Sequence, residues 1–141
     1  MQINEEGLDL IRRYEGCKLK AYKCPAGVWT IGFGTTTGVH EGMQITFMEA
    51  DKLFRIDVQN VAEAVHKLLE ITLTDQQFSA VVSLVYNIGI GAFTHSTMLI
   101  RLNENKLSEA AEQFLQWDKI HGMVSSGLLN RRMAERDLFE C

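Results

Sequence analysis

Residues 15–30 of this 141-residue chain read EGCKLKAYKCPAGVWT, and in this stretch the pattern changes from helix to strand. Before it, apolar residues recur at helical spacing as far as Tyr14, which predicts a first helix that ends just before Gly16. From Leu19 to Val39, strand-forming residues alternate with glycines and with the only proline of the chain, Pro25. The pattern therefore predicts one helix followed by a small antiparallel sheet of short strands.

The sequence after this sheet is typical of helices with marked starting points. Residues 46–49 (TFME) and 74–77 (TDQQ) match the capping box, in which two side chains of the first turn satisfy free backbone amides. The first box opens a helix whose apolar stripe runs for about six turns, long enough to link two lobes. The second opens a more buried helix that the glycines at 89 and 91 end.

Three further helices complete the predicted chain. Ser96 and Ser108 are predicted to start two short ones, and the last runs from about Gly127 to Phe139. No linker or repeat interrupts the pattern. We therefore predict a single α+β domain of residues 1–141, with a β-rich lobe at about 15–45 and a helical lobe at 1–14 and 46–141.

Composition narrows the class of protein. Hydrophobic residues make up 46% of the chain and charged residues 23%, and no apolar stretch reaches the ~20 residues that a membrane span needs. A formal net charge of −4 gives the chain no electrostatic reason to bind nucleic acid. The N-terminus lacks the pattern of a secretory signal, so we expect synthesis in a cytoplasm, with the three cysteines as free thiols.

The first candidate for chemistry is Glu15, at the predicted end of the first helix. The negative end of the helix dipole and the neighbouring Tyr14 both disfavour its ionised form. A carboxyl that keeps its proton at neutral pH can act as a general acid. The alternative is a surface glutamate paired with Arg12, Arg13 or Lys18.

Two further candidates follow in the predicted turn-rich segment. Cys24 and Thr30 are close enough in sequence for one two-stranded turn to bring both back towards Glu15, facing one cleft. Alone, Cys24 is typical of a small structural thiol and Thr30 of a strand threonine. The combination of the three residues is what indicates a site.

The spacing E-x8-C-x5-T, followed by WTIGFG at 29–34, resembles the phage-type lysozymes, the endolysins of glycoside hydrolase family 24, whose spacing is E-x8-(D or C)-x5-T. The similarity continues through YNIGIGAFTHST at 86–97, LSEAAEQFLQW at 107–117 and GLLNRRMAERDLF at 127–139, so it covers nearly the whole chain. It implies a lysozyme-like α+β fold, in which a long helix joins a small N-terminal β-sheet lobe to a larger helical lobe.

The resemblance also implies a reaction, the hydrolysis of the β-1,4 bond between N-acetylmuramic acid and N-acetylglucosamine in bacterial peptidoglycan. Glu15 would be the general acid, and Cys24 and Thr30 would position or activate a water for attack on the far side of the sugar. Cys24 could act as a base, as a water-orienting thiol or as a covalent nucleophile. The lysines at 18, 20 and 23 are near in sequence and would favour its thiolate.

Further contacts and partners follow from the same resemblance. Gly34 and Thr36 would line the small-lobe side of a sugar-binding groove, with Tyr86, Ser96 and Gln113 opposite them. We also expect no cofactor, no metal, no membrane insertion and no nucleic acid. We expect a monomer that acts on peptidoglycan and relies on a separate holin to pass from the host cytoplasm to the periplasmic wall.

Several positions are less typical or less certain. Thr35 stands where family members commonly have a histidine that helps hold the lobes together. A bond between Cys17 and Cys24 would silence the site and is an open possibility.

On the last helix, alternating basic and acidic residues predict a solvated, ion-paired face, with contact to anionic wall polymers as the alternative. Trp29 and Trp117 are predicted core residues.

Three rival functions can be weighed from the sequence. The glycine-rich GFGTTTG is not a phosphate-binding loop, because no helix is predicted directly after it. No HExxH zinc motif occurs in the sequence either. A cysteine-dependent wall peptidase or amidase would use Cys24 as nucleophile and one of the four histidines, at positions 40, 66, 95 and 121, as base. A non-catalytic peptidoglycan-binding module is the third possibility.

Overall fold

The computed structural model describes residues 1–141 and divides them into two compact units. One unit is formed by Arg12–Asn60, and the other by Met1–Ile11 together with Val61–Cys141. Two helices, α1 (Glu5–Glu15) and α2 (Phe47–Leu68), contribute residues to both units. Helices and two small antiparallel sheets make up the chain, so the predicted α+β class is confirmed.

The unit of residues 12–60 contains the predicted sheet. Strands β1 (Lys18–Lys23) and β2 (Trp29–Gly32) pair antiparallel, and Ala50 of α2 lies close to Gly32 at the end of β2. Phe33 and Phe54 lie in its core with ring centroids 5.1 Å apart, and burial of such rings is the main stabilising contribution in a unit of this size. The other buried apolar side chains of this unit are Ile31, Ala50 and Val58.

Both predicted capping boxes are present. The Thr46 amide donates to Glu49 Oε1 at 3.1 Å, and the Glu49 amide donates to Thr46 Oγ1 at 3.2 Å. Thr74 and Gln77 exchange the same pair of bonds at 3.0 and 3.1 Å. These bonds fix the first residues of α2 and of α3 (Asp75–Ile88) at the predicted positions.

The larger unit is helical. Helix α3 runs through its centre, with eight consecutive residues buried from position 78 to position 85, and α7 (Ser126–Glu140) packs against it. The remaining elements are α4 (Ile90–Thr94), α5 (Thr97–Asn103), α6 (Leu107–Gln113), a 3-10 turn (Phe114–Gln116), β3 (Lys119–Ile120) and β4 (Met123–Val124). None of the helices qualifies as a membrane span, and even the 22-residue α2 is too polar for a bilayer.

Helix α1 meets α3 at a very close contact. A side chain on Gly7 would place its Cβ only 2.5 Å from Ser79 Cβ, which no pair of real Cβ atoms allows. The Ser79 hydroxyl accepts a hydrogen bond from the Asn4 amide at 2.9 Å and donates to Asn4 Oδ1 at 3.0 Å. The absence of a side chain at Gly7 is therefore what lets the start of α1 bond directly to α3.

The prediction that Ser108 starts a helix is wrong. Helix α6 begins at Leu107, with Lys106 as its cap residue, and Ser108 lies inside the first turn. The reason is the backbone at Asn105, whose φ of 59° reverses the chain one residue before the cap. Asparagine tolerates this left-handed conformation better than other residues with side chains, so the turn sets the helix start without a capping hydroxyl.

The prediction of a solvated charged face on α7 is also wrong. Arg131, Arg132 and Glu135 are buried, with exposed fractions of 3%, 0% and 0%. Glu135 Oε2 accepts from Ser83 Oγ at 2.5 Å and from Arg131 Nε at 3.2 Å, and Glu135 Oε1 lies 2.9 Å from Arg132 Nε. Burial raises the pKa of Glu135, and the two guanidinium groups oppose that rise. The three charges are therefore paired with one another in the interior, and not with solvent.

The two tryptophans are not core residues. Trp29 and Trp117 are both half-buried. The Lys23 ammonium lies 5.4 Å from the centroid of the Trp29 ring, on which it makes a cation–π contact. The Trp29 ring therefore contacts Lys23, its pairing partner on β1.

Candidate active site

Glu15 is fixed at the end of α1 by the residues on either side of it. It is the last residue of the helix, and Gly16 follows with a φ of 67°. This left-handed conformation is accessible to glycine without strain and turns the chain directly from α1 into β1. The carboxyl therefore lies at the junction of helix and sheet, as predicted.

An ion-pair network holds the last turn of α1 against α2. Arg12 Nη2 donates to Asp51 Oδ1 at 2.8 Å, and Arg55 Nε donates to Asp51 Oδ2 at 3.0 Å. The hydrogen bond from Arg55 is the largest cause that lowers the pKa of Asp51, and Arg12 adds to it. Arg12 also lies 5.0 Å from the centroid of the Phe54 ring. Because Arg12 is one turn before Glu15, these contacts limit the movement of the Glu15 backbone.

Cys24 lies at the corner of the hairpin between β1 and β2. Its amide donates to Val28 O at 3.0 Å, and its carbonyl accepts from the Gly27 amide at 2.8 Å. Pro25 follows Cys24, and Gly27 closes the turn with a φ of 79°. Proline and glycine at these two places are typical of a type I turn within a three-residue hairpin loop.

The strand register brings three side chains to one face of this hairpin. Tyr22 is the direct pairing partner of Thr30, so their side chains project to the same side. Cys24 follows Tyr22 by two residues, and alternation along an extended chain returns it to that side as well. The hairpin therefore gathers Tyr22, Cys24 and Thr30 on one surface.

The Cys24 thiol is set to ionise more readily than an ordinary thiol. A hydrogen bond from the backbone N–H of Val28 is the largest cause that lowers its pKa, followed by one from Ala26, and the Thr30 hydroxyl contributes further. Burial opposes this only in part. The predicted direction is right, but the predicted cause is not, because backbone amides and Thr30 rather than the lysines supply the effect.

Cys17 and Cys24 do not form a disulfide. Both thiols are free, and they flank opposite ends of β1. Seven residue steps along an extended strand span roughly 20 Å, whereas the Cα atoms of a disulfide lie ~4.4–6.8 Å apart. Burial raises the pKa of Cys17, so the two thiols also differ in character.

Thr30 is buried, and its hydroxyl is held in place. Thr30 Oγ1 donates to Val28 O at 3.0 Å, and the side chain is only 4% exposed. The hydroxyl has one proton to donate in a hydrogen bond, either to Val28 O or to the Cys24 thiolate, and its oxygen lone pairs remain able to accept a hydrogen bond from water. Thr30 and Cys24 together therefore provide two acceptors next to each other.

Tyr22 was not among the predicted site residues. Burial is the largest cause that raises the pKa of its hydroxyl, followed by the charges of Glu15 and then Cys24. Both groups must lie within electrostatic reach of the phenol for this to occur. The sequence held a signal for Tyr22, since it is two residues before Cys24, but its pairing with Thr30 becomes known only from the strand register.

Two of the predicted sugar contacts lie in the same unit as this site. Gly34 is half-buried with a φ of 102° in the turn after β2, and Thr36 is exposed. Between them, Thr35 is buried, and its Oγ1 donates to Asp57 Oδ2 at 2.6 Å. Where the family commonly has a histidine, this chain thus uses an uncharged hydroxyl, whose hydrogen bond does not depend on its own titration.

The other three predicted sugar contacts belong to the larger unit. Tyr86 and Gln113 are half-buried, near the end of α3 and at the end of α6. Ser96 caps α5, because its Oγ accepts from the Leu99 amide at 3.1 Å and donates to Phe93 O at 2.7 Å. The Ser96 hydroxyl is therefore already used within the chain, and a role of these residues in sugar binding stays a prediction.

The rival thiol-peptidase arrangement gains no support from this unit. His40 is the only histidine within residues 12–60; it is exposed, and its Nδ1 lies 3.0 Å from Glu41 O. It is not among the groups that shift the pKa of Cys24. No group of three or more histidine, cysteine, aspartate or glutamate side chains is placed to hold a metal ion.

The chain is similar to known proteins over its whole length. The phage lysozyme family matches residues 12–135. An endolysin of Acyrthosiphon pisum secondary endosymbiont phage 1 is 44% identical over 144 residues, which cover 99% of each chain. The muramidase domain of SpmX from Asticaccaulis excentricus superposes with a TM-score of 0.93 and 39% identity, over 99% of this chain and 98% of that one. A mutant of P22 lysozyme gives a TM-score of 0.88 and 40% identity, over 100% and 99%. The chain therefore belongs to the phage lysozyme family and is a lysozyme, a hydrolase with the α+β fold of that family.

Proposed function

We propose that this lysozyme is an endolysin that hydrolyses the β-1,4 bond between N-acetylmuramic acid and N-acetylglucosamine in bacterial peptidoglycan. The observation that carries the proposal is the shared face of the hairpin, on which Cys24 and Thr30 meet, with Glu15 held at the adjoining end of α1. This grouping provides one proton donor, Glu15, one proton acceptor, Cys24, and a hydroxyl that orients the water, which meets the needs of acetal hydrolysis.

Glu15 is the general acid in this proposal. It transfers its proton to the glycosidic oxygen as the bond to the anomeric carbon breaks, so the leaving sugar departs with a neutral hydroxyl. The network of Arg12, Asp51 and Arg55 holds the turn that carries Glu15, and a fixed donor loses less entropy on reaching the reactive geometry.

Cys24 and Thr30 hold the attacking water. One water proton is directed at the Thr30 oxygen and the other at the Cys24 sulfur, which leaves an oxygen lone pair for attack on the anomeric carbon. The water loses a proton to the Cys24 thiolate as the new C–O bond forms, and the configuration of the carbon is inverted. The lowered pKa of Cys24 supports this role, because a thiolate accepts a proton and a neutral thiol does not.

The setting of the reaction is part of the same proposal. The protein would work as a monomer on peptidoglycan, and a separate holin would give it access from the host cytoplasm to the periplasmic wall. Gly34, Thr36, Tyr86, Ser96 and Gln113 remain the predicted sugar contacts. The names of the related endolysins support action on the cell wall.

The products of digestion test the proposed bond. We expect purified Gram-negative peptidoglycan to yield soluble disaccharide peptides with reducing N-acetylmuramic acid ends, as identified by mass spectrometry. Anhydro-sugar ends would show a lytic transglycosylase, and free peptides would show the cysteine-dependent peptidase. Binding without any soluble product would show a non-catalytic wall-binding module, and each of these three results would overturn the proposal.

The reactivity of Cys24 tests its role separately. We expect iodoacetamide to inactivate the enzyme at a rate that rises with pH, because only the thiolate reacts. The midpoint should lie below the ordinary thiol value of 9.0, since the amides of Val28 and Ala26 and the Thr30 hydroxyl stabilise the charged form. Residual activity followed against time at several pH values measures this midpoint.

A matched variant identifies the thiol that is responsible. Cys24→Asp supplies the alternative residue of the family spacing and keeps Cys17 and Cys141. It should retain activity and resist iodoacetamide, because the pKa of Cys17 is raised by burial and neither remaining thiol belongs to the site. Equal inactivation of both proteins, or a midpoint at or above 9.0, would contradict the role of Cys24.

A further inference from the structure

We propose that the exposed lysines of β1 bind the carboxylates of the peptides that peptidoglycan carries, and so hold the polymer beside Cys24 and Thr30. The three residues, Lys18, Lys20 and Lys23, are called the lysine strand. This inference rests on the proposed function, since it names the part of the same substrate that the surface binds. The reaction described above uses none of the three side chains.

The charge of β1 is opposite to that of the whole chain. Its six residues, KLKAYK, contain three cations and no anion, whereas the chain has a formal net charge of −4. All three lysines are exposed to solvent. A local cluster of one sign attracts ligands of the other sign, even where the net charge of the protein opposes it. The lysine strand is therefore a surface on which this chain can bind an anion.

The lysine strand is not neutralised within the protein. Lys18, Lys20 and Lys23 form no ion pair with a carboxylate of the chain, whereas two arginines of the same unit both pair with Asp51. The Lys23 ammonium lies 5.4 Å from the centroid of the Trp29 ring, a contact that keeps its charge. None of the three has to leave an internal carboxylate before it binds an external one.

Both edges of β1 are already bonded to the chain. On one edge β2 pairs with it. On the other edge, the Ala21 amide donates to Met43 O at 2.9 Å, and the Ile45 amide donates to Leu19 O at 2.9 Å. An extended peptide therefore finds no free edge of β1 with which to form a further strand. What β1 offers to a ligand is its side chains, and three of these six are lysines.

The lysine strand leads directly to the proposed site. Lys23 is adjacent to Cys24 in the chain, and Lys20 is four residues before it, roughly 13 Å along an extended strand. None of the three lysines is among the groups that shift the pKa of Cys24. Their charges lie beside the reacting groups without tuning them, as expected of residues that hold a substrate and do not transform it.

The substrate brings negative charge to the same place. Each N-acetylmuramic acid of peptidoglycan carries a short peptide with free carboxyl groups, and this is the sugar whose bond is cut. A glycan strand bound between Glu15 and Cys24 therefore presents such a peptide near β1. Ammonium and carboxylate groups attract each other over about 8 Å at physiological salt. Leu19, which is 42% exposed between two of the lysines, offers the peptide an apolar contact.

Binding to two forms of one polymer tests the inference. The protein carries Glu15→Gln so that it does not digest the polymer, and its dissociation constant is measured by co-sedimentation with purified Gram-negative peptidoglycan. The second form is the same peptidoglycan after carbodiimide and glycinamide have converted its carboxyl groups to neutral amides. Adding Lys18→Gln and Lys20→Gln should weaken binding to the first form roughly three- to tenfold, as expected for two exposed ion pairs, and leave binding to the second form unchanged.

A second pair of substitutions controls for net charge. Lys52→Gln and Lys67→Gln remove two exposed lysines of α2, which also form no ion pair within the chain. The two double variants have the same formal charge, so only the position of the lost charges differs. The α2 variant should bind both forms of the polymer as the Glu15→Gln protein does, and all the proteins should melt at nearly the same temperature.

Salt and kinetics give two further readouts. The difference between the β1 double variant and its parent should disappear at about 1 M salt, where the screening length falls to roughly 3 Å. In protein with an intact Glu15, the same two substitutions should raise KM by the factor seen in binding and leave kcat unchanged, because the contacts are equal in ground state and transition state.

Three results would overturn the inference. One is unchanged binding of the β1 double variant to untreated peptidoglycan, and another is an equal loss of binding to both forms of the polymer. The third is an equal loss in the α2 variant, which would show that only net charge matters. Failure of the parent to release disaccharide peptides would overturn the proposed function, whereas the binding comparison would still decide whether the lysine strand binds carboxylates.

Discussion

Glu15→Gln is expected to lower kcat on peptidoglycan by roughly 10²–10⁴-fold, because the amide cannot transfer a proton to the leaving sugar. This corresponds to about 3–5 kcal/mol of lost transition-state stabilisation. The substitution keeps the size of the side chain, so substrate binding should change little. Initial rates of release of reducing ends from purified peptidoglycan, at several substrate concentrations, measure kcat and KM separately.

Glu6→Gln is the matched control for this prediction. Glu6 lies on the same helix, in its exposed first turn. Its replacement by glutamine removes the same charge from the protein. It should leave kcat unchanged, and both variants should melt at nearly the same temperature as the parent. A loss of less than tenfold in Glu15→Gln would show that another group protonates the leaving oxygen.

Glu135→Gln is expected to lower the free energy of unfolding by about 3–5 kcal/mol, because it leaves the charges of Arg131 and Arg132 buried without their counter-ion. Such a loss is a large part of the ~5–15 kcal/mol that stabilises a typical domain. Glutamine has nearly the same volume as glutamate, so no cavity contributes to the effect. Urea unfolding followed by circular dichroism gives the difference directly.

Asp137→Asn serves as the comparison on the same helix. Asp137 is exposed, and its substitution should change the free energy of unfolding by no more than ~0.5 kcal/mol. If Glu135→Gln were as stable as the parent, the buried arginines would have to be satisfied by other groups, and the carboxylate would not be essential to the packing of α7 on α3.

Much of the fold was predictable because local chemistry decides it. The capping boxes at Thr46 and Thr74 mark helix starts through bonds that span only three residues. The turn with Pro25 and Gly27 sets the hairpin in the same local way. The position of Glu15 at the end of α1 also follows from the adjacent Gly16. Each of these features depends on residues close together in the sequence.

The features that sequence alone missed depend on distant partners. Alternating charges on α7 are typical of a solvated face, but Ser83 of α3 and Arg131 donate hydrogen bonds to Glu135 in the interior. The cause of the lowered pKa of Cys24 was missed because backbone amides carry no sequence signal. Tyr22 was missed because its pairing with Thr30 is known only from the strand register and not from its spacing to Cys24 in the sequence.

The close packing of Gly7 on Ser79 has a consequence for the order of folding. Asn4 bonds to a residue 75 positions later, whereas the unit of Arg12–Asn60 is one continuous stretch of chain. On a ribosome, the contacts within that stretch can form once residue 60 has emerged, but the first turn of α1 must wait for α3. Contacts of such high sequence separation form late and slowly. The end of α1 that carries Glu15 can therefore be ordered before its beginning has anything to bind.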